Sequence, residues 1–524
     1  MARTSRKPRA FVKRAAYASR DTGRREGAAF AGWNPRKVTS EAAAAHERRR
    51  TQDVAADLAA NSWLAESLLS VMQYNVVGDG LTPRAQIPAK ELNLTDEQAI
   101  ELNRRFEWAF ARWAACADVR GRSTFGEMQF TALRTMLALG EAVHLPVMLS
   151  EAERKARALP YSLSIQSVSP TRLRTPAGME HEPDVQDGIR FDEHGRPVAY
   201  YLACPKADGV NDLVRSSDDS VEFATVPAWA GHRPNLLHLF VRKEEEQIRG
   251  ESVFCNSAVL CRYIDDAIRY ELEGQNFSAK YSIFVEKSDR FAVIDGVEVE
   301  KNTETGDEVY YSSVDGAAVM YGNPGEKPQM IASNRPSNNW AGLVKLGMGG
   351  FGGSAGLSYL AVSRNYEKVN YSSARAAMNA DWKVFMWFRN FLARHYCQCF
   401  WEMVIEEAYL RGEWEVPVGA PDFYEARELW TSAMWTGPAR GFMDPVKEIE
   451  ATVMAVDNHL MTRHEALAEY GRDFDDEYVT LLAEHEKMRA LKDEDSLSTR
   501  GGAGNAAPND SAGPADTPPD GDDE

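Results

Sequence analysis

The stretch that decides the fold runs from Asn370 to Arg411 and reads NYSSARAAMNADWKVFMWFRNFLARHYCQCFWEMVIEEAYLR. It contains no glycine or proline, so no residue in it is a strong helix breaker. Eight aromatic residues lie from Trp382 to Trp401, which is typical of a helix buried on several sides. If residues 373–411 form one helix, it is about 58 Å long at ~1.5 Å per residue. The sequence therefore predicts a long central helix.

Other helices are predicted on both sides of this stretch. Residues 41–77 also lack glycine and proline, with Ser40 as a candidate cap and Gly78 as the stop. Thr95 and Thr124 each begin a capping-box pattern, and helices are also expected over 251–273, after Asp444-Pro445 and after Thr462. The apolar residues at helical spacing, expected to face inward, are Val54, Leu58, Leu64, Leu68, Val71 and Met72 in the first helix, Ile100, Phe106, Phe110 and Trp113 in the next, and Phe254, Cys261, Ile264, Ile268 and Leu272 in the helix over 251–273.

In two regions the spacing of apolar residues changes from the helical period to the alternation that is typical of strands. Residues 142–149, 161–168 and 189–202 are predicted strands, the last a hairpin that turns at His194-Gly195. Residues 281–330 have short strand patterns and turn signals, which indicates a small β-rich insertion between helical regions. The expected fold class is mixed α+β and predominantly helical.

The charge is unevenly distributed along the chain. The 524 residues contain 60 Lys and Arg against 78 Asp and Glu, a net charge of −18. Residues 1–50 nevertheless contain 14 Lys and Arg against 4 acids, and residues 493–524 contain 9 acids against one Arg. We expect a disordered basic arm over 1–40 and a disordered acidic tail over 493–524. The arm also fits a transit peptide, but it lacks the apolar block of a secretory signal.

The acidic body between these tails excludes several function classes. Non-specific affinity for nucleic acid requires clustered Lys and Arg, so any contact with DNA is expected to be local or weak. No apolar run is long enough and free enough of charge to predict a membrane-spanning helix. Six scattered cysteines in a chain of this length favour a reducing compartment over a disulfide framework.

No motif predicts catalysis. Residues 347–352 formally match G-x-G-x-x-G, but a polar stretch precedes them where a dinucleotide site requires a strand, so a flexible hinge is the favoured interpretation. The sequence has neither a P-loop nor an H-E-x-x-H pattern. The acidic clusters at 244–246, 265–266 and 475–477 could each hold Mg²⁺, although solvated helix faces are the simpler interpretation. We therefore expect no enzyme activity, cofactor or metal.

Several separated phrases together resemble the lambda-type family of tailed-phage portal proteins. They span roughly residues 40–490, and the most specific is Asn370-Tyr-Ser-Ser-Ala-Arg375. The Gly-rich run 347–356 departs from the family, in which an ordinary helix is expected. The other phrases are Asn75–Pro83, Trp113 followed by Asp118, Gly121, Phe125 and Gln129, then Gly140-Glu141, Leu236–Phe240 around His238, Arg249-Gly250, Gly437–Glu448 and Glu469–Gly471.

The resemblance implies a ring, usually of twelve subunits, at one capsid vertex, through which double-stranded DNA enters and leaves. It implies partners in the terminase large subunit, the major capsid protein and head–tail joining proteins, with no membrane. It places the protein in the virion, and in the host cytoplasm during assembly. The implied regions are a wing (41–250 and 372–440), a first stem helix (251–280), a clip (281–336), a second stem region (337–357), a tunnel loop region (358–371) and crown helices (441–492).

Two groups of residues follow from this resemblance. Lys345, Arg364 and Lys368 flank the implied stem end and tunnel loop, and they are the candidates for contact with DNA in the channel. The candidates for structural or inter-subunit contacts are Asp118, Tyr371, Arg375 and Asp444. For Arg375 we expect an ion pair with an acidic group of its own or the next subunit. An acidic body would bind the DNA phosphates only weakly, so that DNA could move through the channel.

Two alternatives remain at the level of sequence. A phage scaffold or adaptor would share the acidic charge but would have no central channel. A nuclease or nucleotide-dependent packaging factor would require metal bound at one of the acidic clusters.

Overall fold

The computed structural model describes residues 41–204, 222–280, 283–286, 298–301, 308–314, 317–322, 339–367, 369–441, 445–469 and a few positions between 474 and 489. The expected tails, Ser40, Lys368 and Asp444 lie outside the described residues. Within these residues the fold is a mixture of helices and sheets.

Two of the helices are joined into one continuous helix by a π-helical turn. That turn spans Ala393–Cys397 and joins the helix Tyr371–Leu392 to the helix Gln398–Leu410. The helices are α1 (Glu41–Asn61), α2 (Trp63–Val76), α3 (Asp96–Ala114), α4 (Phe125–Leu139), α5 (Glu151–Ala156), α6 (Ala258–Lys280), α7 (Trp340–Ser354), α8 (Tyr359–Ser363), α9 (Tyr371–Leu392), α10 (Gln398–Leu410), α11 (Arg427–Trp430), α12 (Pro445–Asp457) and α13 (Arg463–Glu469).

The strands are short and form several separate sheets. They are β1 (Thr82–Ala85), β2 (Glu141–Met148), β3 (Leu163–Val168), β4 (Val185–Gln186), β5 (Ile189–Phe191), β6 (Pro197–Ala203), β7 (Phe223–Pro227), β8 (Trp229–Ala230), β9 (Arg233–Pro234), β10 (Leu237–Phe240), β11 (Ile283–Glu286), β12 (Glu298–Lys301), β13 (Glu308–Val314), β14 (Ala317–Gly322) and β15 (Ala433–Thr436).

Strand pairing brings distant parts of the chain together. Strand order is β10-β2-β3 in one sheet and β4-β5-β6-β7 in another, and β1 pairs with β15 across more than 300 residues of sequence. Between α6 and α7 lies a four-stranded sheet of order β11-β14-β13-β12, in which only the β11–β14 pair is parallel. The predicted hairpin at His194-Gly195 and the predicted β-rich insertion are both confirmed.

Local capping signals set the helix starts correctly. Thr95 and Thr124 both form complete capping boxes, and Gly140 ends α4 with φ of 94°. Pro445 is the first residue of α12, as predicted. A cap satisfies amide groups that have no partner within the first turn, and replacing a capping residue by Ala typically costs about 1 kcal/mol.

Several details of the helix predictions are wrong. The predicted helix over 41–77 is divided in two at Ser62, whose hydroxyl accepts a hydrogen bond from the amide of Ala65 and so starts α2. Val54 and Ile100 are exposed, because the buried face of each helix does not include every apolar residue at helical spacing. The helix predicted from Glu251 begins at Ala258, so the buried Phe254 lies outside it. Leu272 lies in this helix but is exposed, contrary to the prediction that it faces inward.

The long central helix is confirmed, with the π turn as a local widening. Its aromatic residues pack against α3: the Trp401 ring centroid lies 5.4 Å from that of Phe110, and the Phe400 ring centroid lies 5.8 Å from that of Trp113. Aromatic pairs at such distances add about 0.5–1.5 kcal/mol beyond the burial of their area. The main core therefore lies between α3, α4 and the α9–α10 helix.

The predicted hinge at 347–352 is wrong, since these glycines are inside α7. Helices α6 and α7 pack closely there, and a Cβ at Gly347 would lie 3.0 Å from Ile264 Cδ1. At Gly352 a Cβ would lie 2.9 Å from Val362 Cγ2. These two glycines allow neighbouring elements to approach the α7 backbone, and this packing replaces the flexibility that the sequence indicated.

Gly352→Ala is expected to lower the free energy of unfolding by about 1–2 kcal/mol, because overpacking costs more than the helix propensity gained. The matched control is Gly353→Ala in the same helical turn, where a Cβ would meet no atom within 4 Å. That variant should be neutral or more stable by about 0.5 kcal/mol. Chemical denaturation of both variants checks this, and equal stabilities would contradict the packing role of Gly352.

Candidate functional site

Two of the three candidate DNA-contacting residues, Lys345 and Arg364, lie near the short helix α8, and the third, Lys368, is outside the described residues. Lys345 is exposed on α7, with its Nζ 5.2 Å from the centroid of the Tyr359 ring, the first residue of α8. Arg364 ends α8 in a left-handed conformation with φ of 51° and is exposed. Lys345 and Arg364 thus lie near the two ends of α8, which packs against α7.

The candidate structural residues have different surroundings. The Asp118 carboxylate accepts hydrogen bonds from the amides of Arg120 and Arg122, both at 3.1 Å, and so shapes the turn before α4. Tyr371 is the exposed first residue of α9. Arg375, one turn further, is also exposed and forms no ion pair with any residue in the described part of the chain.

The first cluster that sequence reasoning did not assemble is buried and charged. We call Glu141, Arg249 and His238 the charge cluster. Arg249 Nε donates to Glu141 Oε2 at 2.7 Å, and His238 Nε2 lies 2.7 Å from the same oxygen. All three side chains are 5% exposed or less. The cluster joins β2, β10 and the loop after β10, and three of the phrases that carry the family resemblance contribute these residues.

The electrostatics of the charge cluster follow from burial and pairing. Burial alone would raise the pKa of Glu141, but the adjacent Arg249 guanidinium outweighs it and holds the pKa below its ordinary value. Burial lowers the pKa of His238, although Glu141 opposes that shift. Arg249 also donates to the carbonyls of Leu173 and Asp187, so its buried donors have partners.

The second such feature is Arg389 on α9, which we call the arginine clasp. Its Nε donates to the Val76 carbonyl at 3.2 Å, and its Nη2 donates to the carbonyls of Asn75 and Pro438, both at 2.8 Å. Burial lowers the pKa of Arg389 to about 10. The clasp holds the C-terminal end of α2, where the helix dipole is negative, against the segment that leads to α12.

The buried groups of the charge cluster and of the arginine clasp bind one another or backbone carbonyls. Residues 352–356 formally match G-x-S-x-G, a pattern in which the serine lies on a strand-to-helix turn. Ser354 is instead in the last turn of α7 and donates to the Phe351 carbonyl at 2.7 Å. Among the described residues, no group of three His, Cys, Asp or Glu is arranged to hold a metal ion. Within the same residues, no helix is both long and apolar enough to cross a bilayer.

Comparison with known proteins identifies the class. Residues 26–389 match the model of the family described as phage portal protein, lambda family. The chain belongs to the lambda family of phage portal proteins. It is thus homologous to known portal proteins, and neither the scaffold nor the packaging-enzyme alternative is favoured.

Individual relatives align along most of the chain. The portal protein of Escherichia phage N15 is 25% identical over 493 residues, covering 88% of this chain and 89% of the relative. Portal protein B of Escherichia phage lambda is 24% identical, covering 87% of each chain. A chain from the virion of a native gene transfer agent particle aligns over 83% of this chain, but its TM-score of 0.35 and 10% identity are too low to define the fold.

Proposed function

We propose that copies of this chain form a closed ring, usually of twelve subunits, at one capsid vertex, and that double-stranded DNA passes through its centre. The family match over residues 26–389 carries this proposal. A closed ring requires each subunit to offer two different faces to its neighbours. Exposed apolar residues on separate helices suit that requirement, among them Tyr263 and Tyr270 on α6 and Leu346 on α7.

The proposed regions agree with the order of the elements. Helices α6 and α7 pack on each other, and the sheet β11–β14 lies between them in the sequence. We assign the two helices to the stem and the sheet to the clip, where the terminase large subunit and later the head–tail joining proteins would dock. The segments 41–250 and 372–440 would form the wing, residues 358–371 the tunnel loop region, and 441–492 the crown.

Imaging of the purified protein tests the ring directly. Negative-stain microscopy is expected to show rings with a central hole wide enough for a DNA duplex. A population of globular monomers would contradict the proposal, as would rings without a hole. During infection we expect assembly in the host cytoplasm, contact with the major capsid protein, and a final location in the virion.

The candidate channel cations give a prediction about DNA. Replacing Lys345, Arg364 and Lys368 together by Ala should change the amount of DNA retained in filled heads by about two- to tenfold, the size expected for losing a few exposed phosphate contacts. DNA protected from nuclease measures this. The matched control replaces Arg104, Arg105 and Lys155, exposed cations on α3 and α5. Equal retention in the two triple variants would remove the three residues from the channel.

Arg375 gives a prediction about assembly. Since its guanidinium has no ion-pair partner within the described residues of one chain, we expect it to pair with a carboxylate of the next subunit. Arg375→Ala should therefore weaken ring formation by about fivefold in dissociation constant, equivalent to about 1 kcal/mol per interface. Analytical ultracentrifugation over a range of concentrations measures this. Normal assembly would show that the residue has no such role.

A further inference from the structure

Helix α8 is one turn long, yet it is fixed at its start by a buried carboxylate. Asp381 on α9 is 4% exposed. Its Oδ1 accepts a hydrogen bond from the Ser358 amide at 2.7 Å, and its Oδ2 accepts one from the Ser358 hydroxyl at 2.6 Å. The Ser358 Oγ in turn accepts from the amide of Ala361 at 3.2 Å and so caps α8. Hydrogen bonds to a charged acceptor are the strong ones, so Asp381 holds this cap firmly.

The other end of α8 is fixed by contacts from two more helices. Ser67 on α2 donates its hydroxyl hydrogen to the Val362 carbonyl at 2.6 Å. The Val362 side chain is 1% exposed and packs on α7 at Gly352. A five-residue helix is not stable by itself. Its conformation is therefore set by α2, α7 and α9, through contacts on both of its ends.

Arg364 is the residue that directly follows α8. This residue adopts a left-handed conformation that glycine adopts at lower cost. Its guanidinium forms neither a hydrogen bond nor an ion pair within the part of the chain that the structure describes. A strained backbone conformation persists only where the contacts around it hold it in place. The exposed guanidinium, which has no partner in the described residues, is available to bind an anion outside the subunit.

We propose that Asp381 and Ser67 are positioning residues that clamp α8, so that Arg364 leaves the protein body in one fixed direction and its guanidinium meets a phosphate of passing DNA. This inference rests on the proposed function, because the phosphate is that of DNA in the channel. The clamp itself is a property of the single subunit. The two parts can therefore be tested separately.

The clamp is tested by hydrogen–deuterium exchange in the full-length protein, followed on the peptide that covers residues 358–364. Ser358→Ala and Asp381→Ala should each speed exchange of this peptide about tenfold. Asp381→Ala removes both hydrogen bonds from Ser358 to the carboxylate, and Ser358→Ala removes the hydroxyl one together with the cap on Ala361. Asp381→Asn should lie between them and the unchanged protein, since its amide can still form part of the network. Ser67→Ala should speed exchange about threefold.

A matched control for Ser67 lies one turn along α2. Ser70 is half-buried and donates to Glu66 on its own helix, so Ser70→Ala should leave the exchange of residues 358–364 unchanged. Unchanged exchange in Ser358→Ala would overturn the clamp, whatever happens to DNA. Faster exchange with an unchanged unfolding midpoint supports it, because a general loss of structure would lower the midpoint as well.

The action through Arg364 is tested by combining variants in phage heads. If the clamp acts by aiming Arg364, Ser358→Ala and Arg364→Ala should change DNA retention in the same direction, and the double variant should match Arg364→Ala alone. Additive effects would show that α8 acts through another residue and would overturn this part. So would normal retention in both single variants, even with intact rings. If the unmodified protein forms no rings, the proposed function itself fails, and the exchange result still decides the clamp.

Discussion

Arg249→Met is expected to lower the free energy of unfolding by about 3–5 kcal/mol, because it leaves the Glu141 carboxylate buried without its cation. The methionine retains much of the apolar volume, so the loss reports charge and hydrogen bonding more than packing. The carbonyls of Leu173 and Asp187 also lose their donor. Chemical denaturation followed by tryptophan fluorescence and circular dichroism measures the change.

An exposed arginine provides the control for Arg249. Arg269 pairs with Glu273 on the surface of α6 at 3.0 Å, and Arg269→Met should leave the free energy of unfolding nearly unchanged because the pair is solvent-exposed. The double variant Glu141→Gln with Arg249→Met should recover part of the loss, since no unpaired charge then remains in the core. If Arg249→Met were as mild as Arg269→Met, the charge cluster would not be a main support of the β2–β10 region.

Arg389→Met is expected to lower the free energy of unfolding by about 3 kcal/mol. Three carbonyl groups, at Asn75, Val76 and Pro438, lose a donor in a region from which water is largely excluded, and each such loss costs about 1 kcal/mol or more. No carboxylate balances the guanidinium among the hydrogen bonds that it makes in the described structure. The expected loss therefore comes from the carbonyl partners.

The control for Arg389 lies on the same long helix. Arg394 is exposed, so Arg394→Met should change stability by about 0.5 kcal/mol or less. Local proteolysis adds a second measurement, because release of Pro438 should make the segment before α12 more susceptible to cleavage. A loss below about 1 kcal/mol in Arg389→Met would show that the carbonyls find other partners and that the clasp is dispensable.

Much of the fold could be predicted from the sequence because its signals are local. The capping boxes at Thr95 and Thr124 predict where a helix begins from only four residues each. The alternating pattern around His194-Gly195 predicts a hairpin. The glycine run at 347–352 predicted a hinge instead of a helix, because the low helix propensity of glycine was the only local information there. The contacts of Gly347 with Ile264 and Gly352 with Val362 depend on elements distant in sequence.

The buried charges were the least predictable part of the site. Arg389 lies within the aromatic stretch of α9, and a charged residue among so many apolar ones is the one signal that could have marked it. Glu141 and Arg249 are 108 residues apart, so nothing in their neighbourhoods predicts the pair. The family phrases contained both residues, but only the fold shows that these phrases meet.

The continuous helix formed by α9, the π turn and α10 has a mechanical consequence. It spans residues 371–410, about 60 Å at 1.5 Å per residue, and distant segments bind it along its length through Asp381, Arg389 and Glu407. No loop interrupts the helix between these three contacts, because the π turn continues α9 directly into α10. A displacement of α8 at Asp381 would therefore be carried toward Glu407 by one continuous helix, with no loop between them to absorb it.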